Sequence, residues 1–418
     1  MHLLPDVRPE MLLPDFWLAR VGDPDAPLLQ PAAIPAFNAH VREVIGIPDV
    51  LALPDALPAA EVRAHIPDAP DSARFGVNGA PLSADFWAGL QAAMALDALP
   101  DPAPVRFALA LRRTPVRTLP TDRVALKTPD ELPFDRLQET LIDVGWPAAI
   151  LHTTRDGAWA FTLTPGYWGW VRTRDLALAD RAAVACFVGA EPFLLAVAPW
   201  ADVAVPGEGP QVSARMGTRL PLLAGEDALR RVQLPTVNAA KQLTLTEGFV
   251  AAADPDWHTG LLPPTLRSII GRAFALLGEP YAWGGLRLGR AGRDCSGLVQ
   301  DVWATVGVRL PRNSGQQARV GRCVASFQPD EPNDARLRRL QEDVPPGALL
   351  FLPGHVMLYL GVIDGVPFAI HDLWGYAHPD GRVTRAGEVV VSALPPEPSA
   401  MRHTLLERLT HARVVAPF

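Results

Sequence analysis

A glycine-rich segment runs into an apolar helical pattern near residue 295, and one cysteine lies at the junction. The segment reads Tyr281-Ala282-Trp283-Gly284-Gly285, and after a short Arg/Gly loop the chain continues as Asp294-Cys295-Ser296-Gly297. Apolar residues then recur on one side of a helical pattern over residues 295–306. This junction predicts a helix that begins at the cysteine, with Asp294 as its N-cap.

Two histidines follow at positions that suit a cysteine nucleophile. His355 precedes a strand pattern over residues 356–363, and His371 ends the next strand pattern, 368–371. A cysteine nucleophile needs a lowered thiol pKa or an adjacent base, and the base needs a polar partner that fixes its tautomer. The first turn of a helix also offers free N–H groups to an oxyanion. We therefore predict Cys295 as nucleophile, His355 as base and His371 as orienting residue, with no metal or cofactor required.

Composition limits what else the chain is expected to do. Its 38 Lys+Arg are scattered and are outnumbered by 45 Asp+Glu, so we expect no nucleic-acid partner. The three cysteines have no CxxC spacing, which argues against structural zinc or a disulfide framework and leaves Cys186 and Cys323 as ordinary buried thiols. With no basic leader and no apolar run of membrane-spanning length, we expect a soluble cytoplasmic protein without a membrane partner.

The chain of 418 residues is expected to fold as a multidomain α+β protein in four segments. Residues 1–105 show helical spacing, with Ser83 as one N-cap, and are predicted to form a helical stabilising domain. Residues 106–180 alternate short apolar runs with turn signals, which is typical of a small barrel, and residues 181–253 repeat this pattern more weakly. Residues 254–418 mix helix and strand patterns. Strand candidates within the second barrel are 184–188, 193–197, 218–223 and 249–252.

Residues from about 265 to 400 resemble the NlpC/P60 cysteine peptidases, which have a compact papain-like fold. The matching pieces are the two junction motifs given above, Leu310-Pro311-Arg312-Asn313-Ser314, Gly347, His355-Val356-Met357-Leu358-Tyr359-Leu360-Gly361 and Ile370-His371. Members of this family hydrolyse amide bonds in cell-wall peptides, typically between γ-D-glutamate and meso-diaminopimelate or lysine. The resemblance implies the same catalytic roles for Cys295, His355 and His371, and it places Tyr281 beside the oxyanion.

The resemblance extends upstream of the peptidase segment. Residues 106–180 are similar to a bacterial SH3 module, and the first 100 residues are similar to the helical cap found in the same architecture. Relatives with this layout are γ-D-glutamyl-L-diamino acid endopeptidases that act on short murein peptides with a free N-terminal L-alanine. The resemblance therefore implies a murein peptide as partner. It implies substrate-binding positions at Tyr281, Trp283, Asp294, Ser296, Asn313 and Ser314.

One of these positions departs from the family pattern. Such relatives place an Asp-Ser pair after Pro-Arg, where the carboxylate binds the substrate amine, but this chain has Asn313-Ser314. An amide oxygen accepts a hydrogen bond without supplying charge, so either the requirement for a free amine is relaxed here or a carboxylate elsewhere replaces the missing one. Two other functions stay open: a papain-like amidase or acyltransferase that acts on other amides, and a non-catalytic SH3 protein that binds cell-wall peptides.

Overall fold

The structure is a computed structural model that describes residues 4–131, 134–207, 211–226, 228–287, 289–377, 382–395 and 404–416. The chain divides into two compact units. The unit that holds the cysteine helix, the Cys295 unit, consists of Met1–Gly46, Leu261–Tyr281 and Gly292–Phe418. The barrel unit consists of Ile47–Gly260 and Ala282–Ala291. The segment 1–105 is thus divided between the two units.

The first half of the barrel unit contains a seven-stranded antiparallel sheet. Small buried side chains, including Ala108, Ala148 and Ala160, fill its core together with Val116 and Ile142, so the strands can curve closely around one another. The predicted turn at Asp156-Gly157 joins two of the strands, and Gly157 has the positive φ of +66° that such a turn requires. In sheet order the strands are Gln138–Ile142, Thr114–Arg117, Tyr167–Arg172, Trp159–Thr164, Pro147–Thr153, Arg106–Ala110 and Leu176–Ala179.

The second half of this unit contains a five-stranded sheet and a separate two-stranded one. The prediction of a strand at 184–188 is wrong, because these residues belong to the helix Arg181–Val188. Asp180 caps that helix by accepting a hydrogen bond from the Ala183 N–H at 2.7 Å, and its alanine-rich sequence favours a helix. The five strands are Leu243–Ala251, Leu229–Val237, Arg219–Glu226, Phe193–Ala196 and Trp257–Thr259, and Trp200–Val203 pairs with Val212–Arg215.

Among the described residues of the N-terminal segment, most of the regular elements are helices. Ser83 caps its helix as predicted, because its hydroxyl accepts from the Phe86 N–H at 3.2 Å. Asn38 ties another helix into the Cys295 unit by donating to the Gly307 carbonyl and accepting from the Arg309 N–H. The α-helices are Pro14–Leu18, Ile34–Ile45, Ala59–Ala64 and Ala84–Met94, and the strand Ala56–Leu57 pairs with Ala103–Pro104.

The Cys295 unit is built on a six-stranded antiparallel sheet. The helix Cys295–Ala304 packs against two neighbouring strands of this sheet, His355–Ile363 and Val366–Ala377. In sheet order the strands are Arg322–Ser326, His411–Val414, Leu349–Leu352, His355–Ile363, Val366–Ala377 and Val383–Ala393. The other helices of the C-terminal part are Leu266–Ala275, Ser314–Gln317 and Asn333–Glu342. Across the described parts of the chain, no helix is both long enough and apolar enough to span a membrane.

Candidate active site

Cys295 is the first residue of its helix, as the sequence predicts. Asp294 is the N-cap, and its side chain accepts a hydrogen bond from the Gly297 N–H at 2.8 Å. Ser296 donates to the same carboxylate at 3.1 Å. The apolar residues behind the cysteine, among them Leu298, are fully buried and fix the helix on the sheet. The thiol therefore lies at a rigid helix start with only 7% of the residue's surface exposed.

A buried arginine holds the N-cap in place. The Arg312 guanidinium binds both carboxylate oxygens of Asp294, at 3.0 and 2.6 Å, and it also donates to the Ser296 hydroxyl at 2.9 Å. Two parallel hydrogen bonds between a guanidinium and a carboxylate fix the orientation of the carboxylate as well as its distance from the guanidinium. Gln317 adds a further link, from its side-chain amide to the Ser296 carbonyl at 3.1 Å. Asp294 and Ser296, predicted to bind substrate, are thus already engaged with Arg312.

The two predicted histidines form a hydrogen-bonded pair. His355 begins its strand and is partly exposed, and its Nε2 lies 2.6 Å from Nδ1 of the fully buried His371. The pair continues to a third residue, because His371 Nε2 lies 2.8 Å from the hydroxyl of Ser392. Ser392 is buried in the neighbouring strand, where it lies opposite Ala369. Three adjacent strands thus carry one continuous chain of polar side chains.

Burial sets the protonation of the thiol and of the imidazole in the free protein. The pKa of the Cys295 thiol is raised to about 12, mainly by burial and also by the Asp294 carboxylate, while a hydrogen bond from the Val356 N–H to the sulfur acts to lower it. Burial lowers the pKa of His355 to about 4, with an additional contribution from the charge of Arg408. At neutral pH the side chains are therefore a thiol and a neutral imidazole, so a base must remove the thiol proton during reaction.

Tyr281 lies beside the helix start. It forms an isolated bridge with Arg293, its N–H donates to the Gly387 carbonyl at 2.8 Å, and its ring lies 5.7 Å from that of Trp374. Burial raises the pKa of the Tyr281 phenol, and the nearby Asp294 and Cys295 raise that pKa further. The phenol therefore keeps its proton and can donate a hydrogen bond close to the sulfur.

Asp372 is a buried carboxyl next to this site. It is fully buried, and among the described residues neither of its oxygens has a hydrogen-bond partner. Burial raises its pKa well above the ordinary value, and the charge of Asp294 raises it further, while Arg293 opposes these effects. Although it follows His371 in the strand, it makes no bond to that imidazole, because successive strand residues point to opposite faces.

Asn313 and Ser314 lie at the start of the short helix Ser314–Gln317. Asn313 is its N-cap, and its carbonyl accepts from the N–H groups of Gln316 and Gln317 at 3.0 and 2.9 Å. Its side chain is exposed and makes no capping hydrogen bond, whereas the adjacent Arg312 is buried. Asn313 therefore follows the buried Arg312 directly, and its own side chain is exposed.

Trp283 belongs to the barrel unit. It begins the short 3-10 helix Trp283–Gly285, and its ring lies 5.4 Å from that of Phe134 and 5.0 Å from the Arg136 guanidinium. Gly284 has φ +61°, and a Cβ at this position would lie 2.7 Å from the Gln138 side chain. The Gln138 amide also donates to the Gly284 carbonyl at 3.1 Å. The Trp-Gly-Gly motif therefore packs against the first barrel.

Some residues of the site were not predicted. Ser392 is a single polar residue within the apolar run Val389-Val390-Val391-Ser392-Ala393-Leu394, which is the only signal that it carries in the sequence. Arg312 belongs to a quoted motif, but nothing in the sequence predicts its pairing with Asp294.

The expectation that Cys186 and Cys323 are buried is wrong, since both are exposed while Cys295 is buried. Cys186 lies on the outer side of an amphipathic helix whose Val184 and Phe187 are buried.

A cysteine at a helix start, together with a histidine pair on neighbouring antiparallel strands, defines the papain-like class of cysteine hydrolase folds. Residues 278–374 match the sequence model of the NlpC/P60 family, and residues 125–172 match that of an SH3 domain of the SH3b1 type. The chain thus contains an NlpC/P60 domain, with an SH3 domain in front of it. The predicted fold class is confirmed.

Individual relatives are similar over parts of the chain. A γ-D-glutamyl-L-lysine dipeptidyl-peptidase of Bacillus cereus is 32% identical over 165 residues, which cover 38% of this chain and 45% of the relative. The peptidoglycan endopeptidase RipB of Mycobacterium tuberculosis is 39% identical over 108 residues, which cover 22% and 39%. The chain thus spans less than half the length of these two curated relatives. The solved structure of an NlpC/P60 endopeptidase from Photobacterium damselae subsp. piscicida has the same fold, with a TM-score of 0.72 over 90% of both chains at 18% identity.

Proposed function

We propose that this protein is a cysteine endopeptidase that hydrolyses the amide bond between γ-D-glutamate and the diamino acid in murein-derived peptides. The observation that carries the proposal is the hydrogen-bonded pair of His355 and His371 on the strands that pack against the helix of Cys295. The names of the relatives from Bacillus cereus and Mycobacterium tuberculosis support a peptidoglycan-derived substrate.

The proposed reaction begins with proton transfer from the thiol. Because His355 Nε2 is engaged with His371, its Nδ1 is the atom left to take the Cys295 proton. The sulfur then attacks the γ-carbonyl carbon, and the carbonyl electrons move to the oxygen. The backbone N–H of Cys295 and the phenol of Tyr281 donate to this oxyanion. A preorganised donor is effective in such a buried site, because little water competes for the oxyanion.

The second half of the reaction releases both products. The oxyanion collapses, the C–N bond breaks, and His355 returns its proton to the departing amine of the diamino acid. A thioester between Cys295 and the γ-glutamyl group remains. Water then gives a proton to His355 and attacks the thioester carbon, and the thiolate leaves and recovers that proton. His355 thus acts first as base and then as acid in each half of the reaction.

The substrate's amino end is where this chain differs from the family pattern. The Asp294 carboxylate is compensated by Arg312, and the exposed Asn313 supplies an amide without charge. We infer that a free N-terminal amine contributes less here than in relatives with an Asp at this position. The variant Asn313→Asp is then expected to raise kcat/KM for the free-amine tripeptide about tenfold and to leave the N-acetylated peptide unchanged, since charge-assisted hydrogen bonds are about twice as strong as neutral ones.

The direct test is turnover of L-Ala-γ-D-Glu-meso-diaminopimelate and of its L-lysine analogue, with the products identified by mass spectrometry. Wild-type protein is expected to release L-Ala-γ-D-Glu and the diamino acid, and Cys295→Ala is expected to release neither. Cys323→Ser is the matched control, because it removes an exposed thiol and is expected to keep full activity. Equal cleavage by Cys295→Ala and wild type, or no cleavage by wild type, would contradict the proposal.

A further inference from the structure

Ser392 terminates the polar chain that begins at His355. Its hydroxyl lies 2.8 Å from His371 Nε2, and only 1% of the residue is exposed. In the sheet, Ser392 lies opposite Ala369 and is therefore a diagonal neighbour of His371 on the same face. His371 is fully buried, so a ring nitrogen without a partner would carry an uncompensated desolvation cost. Ser392 is the residue that satisfies this nitrogen.

The direction of the hydrogen bonds in the series His355–His371–Ser392 decides whether His355 can act as a base. If His371 carries its proton on Nε2 and donates to Ser392, its Nδ1 is an acceptor, and His355 must carry its own proton on Nε2. His355 Nδ1 then has a free lone pair for the thiol proton. If the hydroxyl donates instead, every bond reverses, His355 is protonated on Nδ1, and it cannot accept that proton.

The geometry points to Ser392 as a positioning residue that accepts a hydrogen bond from His371 Nε2–H and so stabilises the base-competent tautomer of His355. This inference rests on the proposed function, because the tautomer matters for catalysis only if His355 is the base. The tautomer itself can be measured in the free protein. The same arrangement stabilises the imidazolium that forms at His355, because His355 Nε2–H keeps its acceptor throughout the reaction. Ser392 has no contact with the reacting atoms and acts only through His371.

The first measurement is the tautomer of His371 in wild-type protein labelled with 15N-histidine, because ring nitrogen shifts distinguish N–H from unprotonated nitrogen. The His371 signals are assigned by their loss in His371→Asn. We expect His371 to be protonated on Nε2 and unprotonated on Nδ1. The reverse pattern in the wild-type protein would overturn the inference, and this outcome needs no peptidase assay.

The second measurement compares three variants. Ser392→Ala is expected to lose the Nε2–H signature and to lower kcat about tenfold, the effect of one buried hydrogen bond, with little change in KM. Ser392→Thr retains a hydroxyl and is expected to keep both the signature and the rate. Thr305→Val is the matched control, because it removes another fully buried hydroxyl, at the far end of the cysteine helix.

The outcomes separate the inference from the proposed function. Unchanged tautomer and kcat in Ser392→Ala would overturn the role of Ser392, and so would equal losses in Ser392→Ala and Ser392→Thr, because the defect would then come from packing. If wild-type protein fails to cleave either tripeptide while the tautomer depends on Ser392 as described, the result contradicts the peptidase proposal but supports the positioning role of Ser392.

Discussion

His355 Nε2 and His371 Nδ1 lie 2.6 Å apart, and the planes of the two rings are inclined at 72°. The bond joins the first residue of the strand His355–Ile363 to a residue in the middle of the neighbouring antiparallel strand Val366–Ala377, so its geometry is set by the sheet rather than by a loop. A histidine that is held on rigid strands keeps its free nitrogen at a constant position relative to the helix start.

Replacement of His371 is expected to separate orientation from packing. His371→Ala leaves His355 Nε2 without its partner and is expected to lower kcat about a hundredfold, whereas His371→Asn keeps a polar atom near Nε2 and is expected to cost about tenfold. Steady-state kinetics on the tripeptide measure both losses. His40→Ala, on the helix Ile34–Ile45, is the control and is expected to leave kcat unchanged. Equal losses in the two His371 variants would contradict an orienting role.

The acidic limb of the pH–rate profile is expected to lie unusually low. Since the pKa of His355 is lowered to about 4, kcat/KM is expected to stay constant through weakly acidic pH and to fall only as the imidazole becomes protonated. Between the folded value and the ordinary value of about 6.5, the unfolded chain binds more protons than the folded one, so stability falls as pH decreases. Circular dichroism at each pH corrects the rates for unfolding. A midpoint near the ordinary histidine pKa would refute the assignment.

Removal of the Asp372 charge is expected to stabilise the protein. Its raised pKa means that the folded state binds more protons than the unfolded state above the ordinary aspartate pKa, so its contribution makes stability fall as pH rises. Asp372→Asn, which cannot ionise, is expected to be more stable than wild type by about 1–3 kcal/mol at neutral pH, and less so at about pH 5. Urea unfolding measures the difference.

Asp330→Asn is the matched control for this change, because Asp330 is exposed in the same unit. It is expected to leave the free energy of unfolding within about 0.5 kcal/mol of wild type. A stability gain in Asp372→Asn that stays constant between acidic and neutral pH would show that the effect does not come from ionisation.

Two glycines with similar backbone angles allow a test of the Trp-Gly-Gly packing. Gly284 and Gly289 have φ of +61° and +81°. A Cβ added at Gly284 would lie within 2.8 Å of Gln138 atoms, whereas a Cβ added at Gly289 would have no atom within 4 Å. Both alanine variants are expected to lower the free energy of unfolding by about 1 kcal/mol because of the left-handed backbone. Gly284→Ala is expected to lower it by about 1–3 kcal/mol more because of the clash. Thermal unfolding of the full chain measures both, and equal shifts would argue against the contact.

The sequence predicted the parts of this site that depend on local pattern. The helix start at Cys295 follows from an N-cap aspartate before an apolar stripe, and the strands of His355 and His371 follow from short apolar runs. These signals lie within a few residues of one another and reflect backbone preferences that act locally. The same holds for Ser83, whose capping bond is present as predicted.

Long-range pairing and burial were not predictable in this way. Arg312 reaches Asp294 across 18 positions, and Ser392 reaches His371 across 21, so neither contact follows from spacing. The strand predicted at 184–188 lies instead in the helix Arg181–Val188, because a short apolar run has no clear period and the side-chain cap at Asp180 favours the helix. The raised thiol pKa has the same origin, since burial depends on the whole fold.

The division between the two units falls inside the motif Tyr281-Ala282-Trp283-Gly284-Gly285, after its first residue. Tyr281 belongs with the cysteine helix, while Gly284 presents its carbonyl and its bare α-carbon to Gln138 of the barrel. A fragment that begins at residue 254 would keep this glycine turn but would lack Gln138, against which the turn packs. Recombination that exchanges one module between relatives must therefore preserve this glycine–glutamine match, and residues 138 and 284 are expected to be inherited together.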